Sequence, residues 1–409
     1  MKIFIFNENS LCGGLDSFII NLINHWPNED DEIFLYCNAS HPGLDVIRTS
    51  VKRKCGFVGY TEPTYLDLRQ RTKDSLLLEI LRKLFSPLLR YSFFLFYLKR
   101  VTMLFQKEDA DRLIVVNGGH PASDMCRAAV IAWGRTKGTE KQLALYNIHN
   151  LATPVRWFEK WPEKVIDNLV IRYSSAIIGV SRSCAESLRD RFGDEGMKKV
   201  SFVYNGIPAP PLNSSTKNLR DEFGISTNSL LCSMLATYEP RKGHAFLLNV
   251  FQRVIQEVHN VYLLICGFGS PEEIRKVRDL VNDFGLSNRI FLQGFRRDAD
   301  FVIKQSDLVL VPSQSFESFG LTCVEAMSNK VPVVATRVGG LPEVLEEGKG
   351  GSCFAPDDVE GYSNYIVKLL KDPELRKVLG ERGFQRYNQM FQAGRMSIDY
   401  AALLGALNK

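Results

Sequence analysis

The chain has 409 residues, 45% of them hydrophobic and 24% charged, with a net charge of +5. That length exceeds one ordinary core and suits two domains, and the composition excludes a disordered chain. So small a basic excess lacks the footprint of a nucleic-acid binder, and no nucleic-acid partner is expected.

The first run, "KIFIF" (2–6), meets Asn7, Glu8 and Asn9 at once. It is too short for a signal-peptide core and reads as a buried strand. No stretch reaches the ~20 uncharged residues of a membrane-spanning helix. The nine cysteines form no Cys-x-x-Cys pair, and several (Cys232, Cys266, Cys323) sit inside apolar runs. Buried, reduced thiols and a cytoplasmic location are expected.

After that strand, "LCGGLDSF" places Gly13 and Gly14 just ahead of a helix, "GLDSFIINLINHW". Paired glycines at a helix start let backbone approach a bulky anion, or simply make a tight turn. Further strands are expected at "EIFLYC", "DRLIVVNGG", "QLALYNIHN" and "AIIGVS", with a helix at "SRSCAESLRDRFG". His149 closes "YNIH", at a strand end, where it can hydrogen-bond a substrate hydroxyl or carry a partial charge, or be satisfied by local backbone.

The segment 76–107 is the most apolar and least typical. At ~100° per residue, Arg90, Arg100 and Lys107 share one arc and Lys99 lies off it, with aromatic residues over the rest. This suits helices lying in a membrane interface, with Arg90, Lys99 and Arg100 toward anionic lipid. The bland reading is a long core helix.

The proline-rich stretch "VYNGIPAPPLNSSTKN" (203–218) reads as a linker. Beyond it, continuously apolar runs at 230–237, 261–267, 289–294, 308–312 and 332–336 alternate with helical segments. They indicate parallel strands covered on both faces. The fold class is α/β: two doubly wound, Rossmann-like domains facing a central cleft, with ligands outside the carboxyl ends of the strands. The boundaries expected are 1–205, 206–388, and a C-terminal helix in 389–409 that crosses back to the first domain.

"ATYEPRKGH" (236–244) follows the first strand of the second domain. Arg241 and Lys242 stand at a helix entry, where cations oppose the macrodipole unless an anion compensates, so a diphosphate clamp is the favoured reading. "ESFGLTCVE" (317–325) lies where a strand hands over to a helix. Glu317 falls before the helix and Glu325 in its second turn, roughly one to two turns apart. The two are poorly placed to share a proton and well placed to grip two parts of one elongated ligand. Gly320 leaves room for a phosphate at the first turn. No cluster of His, Cys or carboxylates has metal-ligand spacing, so no metal is expected.

Together with "ICGFGS", "LQGF", "RVGGLPEVL", "CGGLDSFIINL" and "VYNGI", these stretches resemble glycosyltransferase family 4 over nearly the whole chain, most densely at 200–350. The resemblance implies a GT-B fold and transfer with retention of configuration. The co-substrate would be a UDP- or GDP-linked sugar, with no other cofactor. It casts Glu317 on the donor sugar hydroxyls and Glu325 on the ribose. Backbone of Ser318, Phe319, Gly320 and Leu321 would meet sugar and phosphate, and Lys242 the diphosphate. His149 is the counterpart of the family's first-domain histidine, so His149, Lys242 and Glu317 are the catalytic candidates. The family's arginine five residues before the lysine is here Thr237, which leaves Arg241 to take over part of that charge, or the clamp weaker. Phe295 and Arg296 mark backbone expected at the base. A lipid-linked saccharide acceptor at the inner membrane face is expected, with a role in polysaccharide, lipopolysaccharide or glycolipid synthesis. An epimerase or glycogen-type synthase on the same fold, or a catalytically silent sugar- or lipid-binding module, stays open.

Overall fold

The computed structural model describes residues 1–9, 12–63, 68, 75–137, 143–211 and 218–405. The chain divides into two compact units, Met1–Tyr204 with Ala393–Lys409, and Asn205–Gln392. Part of the linker expected at 203–218, residues 212–217, lies outside the described residues.

The first unit carries seven strands: β1 Lys2–Asn7, β2 Glu32–Asn38, β3 Cys55–Tyr60, β4 Arg112–Asn117, β5 Ala144–Ile148, β6 Ser174–Gly179 and β7 Val200–Phe202. Their order is β3-β2-β1-β4-β5-β6-β7, with every pair parallel. β1 and β4 have almost no exposed side chains because helices cover both faces of the sheet, which is why they read as unbroken apolar runs. The closing helix Ala393–Gly405 belongs to this unit. Its Met396, Tyr400 and Leu404 join Ile3, Phe18 and Leu22 in one core, and Asn147 Nδ2 donates to Tyr400 Oη at 2.5 Å. At about 1.5–3 kcal/mol for each large apolar side chain buried, the helix is part of the unit's stability.

The second unit has six parallel strands: β8 Leu230–Leu235, β9 Val261–Cys266, β10 Ile290–Gln293, β11 Leu308–Val311, β12 Val333–Thr336 and β13 Gly351–Phe354. Their order is β10-β9-β8-β11-β12-β13. The helices between them begin on local signals. Ser270 Oγ accepts from the Glu273 N–H, and the Glu273 carboxylate accepts from the Ser270 N–H, closing a capping box for the helix Pro271–Asp283.

In each sheet the strand order reverses once, between β1 and β4 and between β8 and β11. Such a reversal opens a crevice outside the strand ends. Three edge strands, β3, β7 and β13, are absent from the sequence-based expectation. β3 ("CGFVGY") contains two glycines, and β7 has only three residues. The helix expected across 181–193 is two, Arg182–Glu186 and Arg189–Met197.

Candidate functional site

In the second unit, the loops leaving β8 and β11 are stitched together at the reversal point. The Gln314 N–H donates to the Arg241 carbonyl at 2.7 Å. Gly243, which starts the helix His244–Glu257, has φ +82°, and a Cβ there would lie 1.9 Å from the Pro312 carbonyl oxygen. Only glycine fits so close an approach in the left-handed region. Gly243→Ala is therefore expected to lower unfolding stability by about 1–3 kcal/mol. Urea unfolding measures this, and an unchanged midpoint would mean that the loops are not held together here.

The junction brings Lys242 to Glu317. Lys242 Nζ lies 2.6 Å from Glu317 Oε2, and Ser313 Oγ donates to the same oxygen at 2.9 Å. Both charged side chains are largely shielded, at 17% and 13% exposure. Water therefore screens the pair poorly, and each charge depends on the other. From the other side, the Gly340 N–H donates to the Glu317 carbonyl at 2.9 Å. Just before Glu317, Phe316 has φ +53°. A non-glycine residue there costs on the order of 1–3 kcal/mol, the kind of strain that functional loops retain.

Gly320, at φ +91°, caps the helix Leu321–Ser328 without a side-chain partner. The first N–H groups of that helix thus follow directly on the Lys242–Glu317 pair. Phe319 is buried, edge-on to Phe391 at 5.8 Å, and anchors the turn from inside. Glu325 is half-buried in the helix. Burial, with a lesser push from Asp300, raises its carboxyl to about 7. Among the described residues no cation pairs with it. A half-buried carboxylate with no cation is costly unless hydroxyl or N–H donors reach it.

Arg241 is held by Glu239, whose Oε2 lies 2.6 Å from Nε, and it donates to the Phe316 carbonyl at 3.2 Å. Thr237 donates to the same carboxylate at 2.8 Å. Arg241 thus braces the two loops. It is not an unneutralised charge facing a ligand, which alters the clamp expected of it. Arg296 is held by Asp298 at 2.9 Å and by Glu222. Beside it, Phe295 stacks on Phe268 with centroids 4.1 Å apart and planes at 12°, and both rings are about half exposed. Expectation centred on backbone here and passed over Phe268. The signal was present as "ICGFGS" and "LQGF", two strands that each end in Gly-Phe.

In the first unit, two expectations change. Burial holds His149 far below its ordinary value, at about 3, and its ring meets Phe18 edge-on at 4.3 Å. It is a neutral imidazole, which offers hydrogen bonding and the partial charge of an N–H dipole but no full positive charge. At Gly13 and Gly14 the helix Gly14–Asn24 begins as expected, but the Gly13 N–H donates to Asp16 at 3.1 Å. Asn9 Nδ2 and His41 Nε2 also reach that carboxylate, at 2.9 and 3.0 Å. A buried carboxylate already answers this helix start and disfavours a second anion.

Arg90 is a third correction. The helix Ser86–Lys107 buries Phe94, Tyr97, Val101 and Phe105 against the helix Asp124–Lys137. Arg90, one turn before Phe94, shares that inward stripe. It meets Asp124 at 3.0 Å and Glu163 at 3.3 Å, not lipid. Fully buried Arg127 joins the same two carboxylates, and Arg191 joins Glu163. Burial would raise the Glu163 carboxyl, but these guanidinium groups hold it at about 2. Arg100 pairs with Glu62 at 2.9 Å, and Lys99 is exposed. Outside the ends of β4 and β5, a cavity of about 770 Å³ is lined by Arg82, Arg90, Arg156 and Arg191, with Glu79 and Glu163 among the acids.

Both units are thus doubly wound α/β folds, and the second presents a lysine–glutamate pair at a helix start and, after β9 and β10, an exposed aromatic pair. Residues 215–386, most of the second unit, match the model of the family described as glycosyl transferases group 1. N-acetyl-alpha-D-glucosaminyl L-malate synthase of Bacillus anthracis is 28% identical over 242 residues, covering 58% of this chain and 62% of that protein. D-inositol 3-phosphate glycosyltransferase of Corynebacterium efficiens is 30% identical over 198 residues, 46% of each chain. The matched segment thus spans roughly half the length of these relatives. Among solved structures, Anabaena HepE in complex with UDP superposes with a TM-score of 0.77 at 20% identity, covering 99% of this chain and 100% of that one. WaaG, a glycosyltransferase involved in lipopolysaccharide biosynthesis, superposes with a TM-score of 0.63 at 15% identity, covering 99% of each. These likenesses establish the GT-B fold expected from the sequence.

Proposed function

We propose that this chain is a retaining glycosyltransferase that moves a sugar from a nucleotide-sugar donor to a lipid-linked saccharide acceptor, in polysaccharide or glycolipid synthesis. The observation that carries the reading is the Lys242–Glu317 pair, 2.6 Å apart at the start of the helix Leu321–Ser328. Lys242 and the first N–H groups of that helix would neutralise the departing diphosphate, while Glu317 takes the donor sugar's hydroxyls. Glu325 would accept from the ribose, and the Phe268–Phe295 face would stack the base. The bond from the anomeric carbon to the diphosphate breaks, with its electron pair leaving on the phosphate oxygen. The acceptor oxygen bonds to that carbon on the same face, and its proton passes to the departing phosphate oxygen. Neither glutamate acts as a base, unlike the paired carboxylates of glycoside hydrolases. UDP in a structure of the same fold favours a UDP-linked donor over a GDP-linked one. Relatives named for malate and for inositol 3-phosphate favour an acidic group on the acceptor, which suits the arginines of the first-unit cavity.

A seat on the inner membrane face is supported by the helix Leu76–Leu84. It turns Glu79 and Arg82 to the cavity while Leu76, Leu77, Ile80, Leu81 and Leu84 are 41–75% exposed. An amphipathic helix with its apolar face outward suits the bilayer interface. Among the described residues no helix is long and apolar enough to cross a membrane. The test is the full chain with a panel of UDP- and GDP-sugars and polyprenyl-linked saccharides. Nucleotide release with a product of unchanged anomeric configuration is expected. Absence of product from every pair would overturn the reading.

A further inference from the structure

The segment after β5 carries a second surface of the same inverted kind. The short turn Trp157–Glu159 leads into the helix Lys160–Tyr173. Its acids point inward: Glu159 and Glu163 are 9% and 1% exposed, and both reach Arg90. Its aromatic residues point outward: Trp157 is 81% exposed, Trp161 78% and Phe158 47%, with Val165 beyond them at 43%. Arg156, Lys160 and Lys164 are interleaved and exposed, and among the described residues none of them is ion-paired. With its carboxylates turned inside, this stretch shows the outside aromatic, aliphatic and cationic groups.

We propose that residues 156–165 form an interfacial anchor that inserts Trp157 and Trp161 among the headgroups of an anionic lipid bilayer. The inference rests on the membrane-surface reading above and adds an element that reading does not contain. Three features select a bilayer over a protein partner. Tryptophan, with an apolar body and a polar N–H, is the side chain that settles at headgroup depth. Three unpaired cations among the rings complement anionic lipid, whereas the core of a protein interface is depleted of charge. Finally, the segment and the outward-facing helix Leu76–Leu84 line the same cavity from two sides, so two elements would hold its mouth at the headgroups.

Tryptophan fluorescence reads this directly, because the other two of the four tryptophans, Trp26 and Trp133, are buried in the core. The full chain is mixed with vesicles of phosphatidylcholine alone or with added phosphatidylglycerol. With the anionic vesicles, blue-shifted emission and acrylamide quenching reduced about twofold are expected. A Trp157→Ser/Trp161→Ser variant should lose about tenfold in vesicle partition and a Trp→Phe pair much less. All should keep the native unfolding midpoint, since the rings are exposed. Flotation by the native chain with unchanged quenching, and equal flotation by the serine variant, would overturn the anchor and leave the membrane reading standing. No flotation with any vesicle would overturn both. A dimer in sedimentation that the serine variant dissociates would assign the surface to a second copy and overturn the anchor.

Discussion

Glu317→Gln is expected to lower turnover by about 10²–10³-fold while leaving the thermal midpoint close to the native one. Glu317 is held at three points: its carboxylate by Lys242 Nζ at 2.6 Å and Ser313 Oγ at 2.9 Å, and its backbone carbonyl by the Gly340 N–H at 2.9 Å. Glutamine keeps the volume and the backbone bond, so the fold should survive. It loses the charge that places Lys242, and its amide can turn a donor toward the ammonium. Lys242 would then be free to shift exactly where a diphosphate must be neutralised. An interaction that matters in the transition state lowers kcat and kcat/KM together, whereas one that only binds the donor raises KM alone. Initial rates over a range of donor concentrations separate the two. Native turnover in the variant would remove Glu317 from the site.

Glu325→Gln is expected to change both stability and nucleotide affinity, in opposite directions. The carboxyl stands at about 7 in the folded chain because burial, then Asp300, disfavours its ionised form. Unfolded, it ionises near ~4.3. Below that value both states are protonated and the group is neutral to stability. As pH rises toward about 7 the unfolded state ionises first, so stability falls, and above the folded value the loss is complete and constant. Glutamine carries no such loss. The variant should match the native chain near pH 4 and be the more stable near pH 8. Over the same window the ionised carboxylate becomes a better acceptor for ribose hydroxyls. Native nucleotide affinity should therefore rise about tenfold from pH 6 to pH 8 beyond any change the variant shows, and the variant should bind more weakly at pH 8. Calorimetric titration with UDP at both pH values reads this. Parallel profiles for the two chains would mean that Glu325 does not meet the nucleotide.

The candidate site was largely legible as chain, and poorly legible as neighbourhood. "ESFGLTCVE" announced a loop followed by a helix start, and Gly320 at φ +91° is that start. "PRKG" announced a second one, yet nothing in either stretch says that Lys242 meets Glu317, 75 positions further along the chain. Arg241 reads as a clamp in sequence because its charge opposes a helix dipole. The compensating anion proves to be Glu239, two residues away. Phe268 was overlooked because an aromatic after a strand is unremarkable until a second one stacks on it.

The segment 76–107 misled for a related reason. A helical wheel centred on the cations turns them toward lipid. The residues that orient the helix Ser86–Lys107 are Phe94, Tyr97, Val101 and Phe105, which turn Arg90 into the carboxylates of neighbouring elements. The outward apolar face lies one helix earlier, at Leu76–Leu84, where a charged stripe toward the cavity leaves the leucines outside.

What the sequence by itself determined is local and periodic. Unbroken apolar runs specified strands covered on both faces, glycines marked helix starts, and the alternation of the two specified parallel α/β sheets, because side-chain period and backbone sterics act between near neighbours. Tertiary structure alone decided the edge strands β3, β7 and β13, the neutral state of His149, the inward turn of Arg90 and the pairing of Lys242 with Glu317. Each of these depends on which distant groups share a low-dielectric space, and burial and charge pairing there are set by strand order, which no local stretch of chain contains.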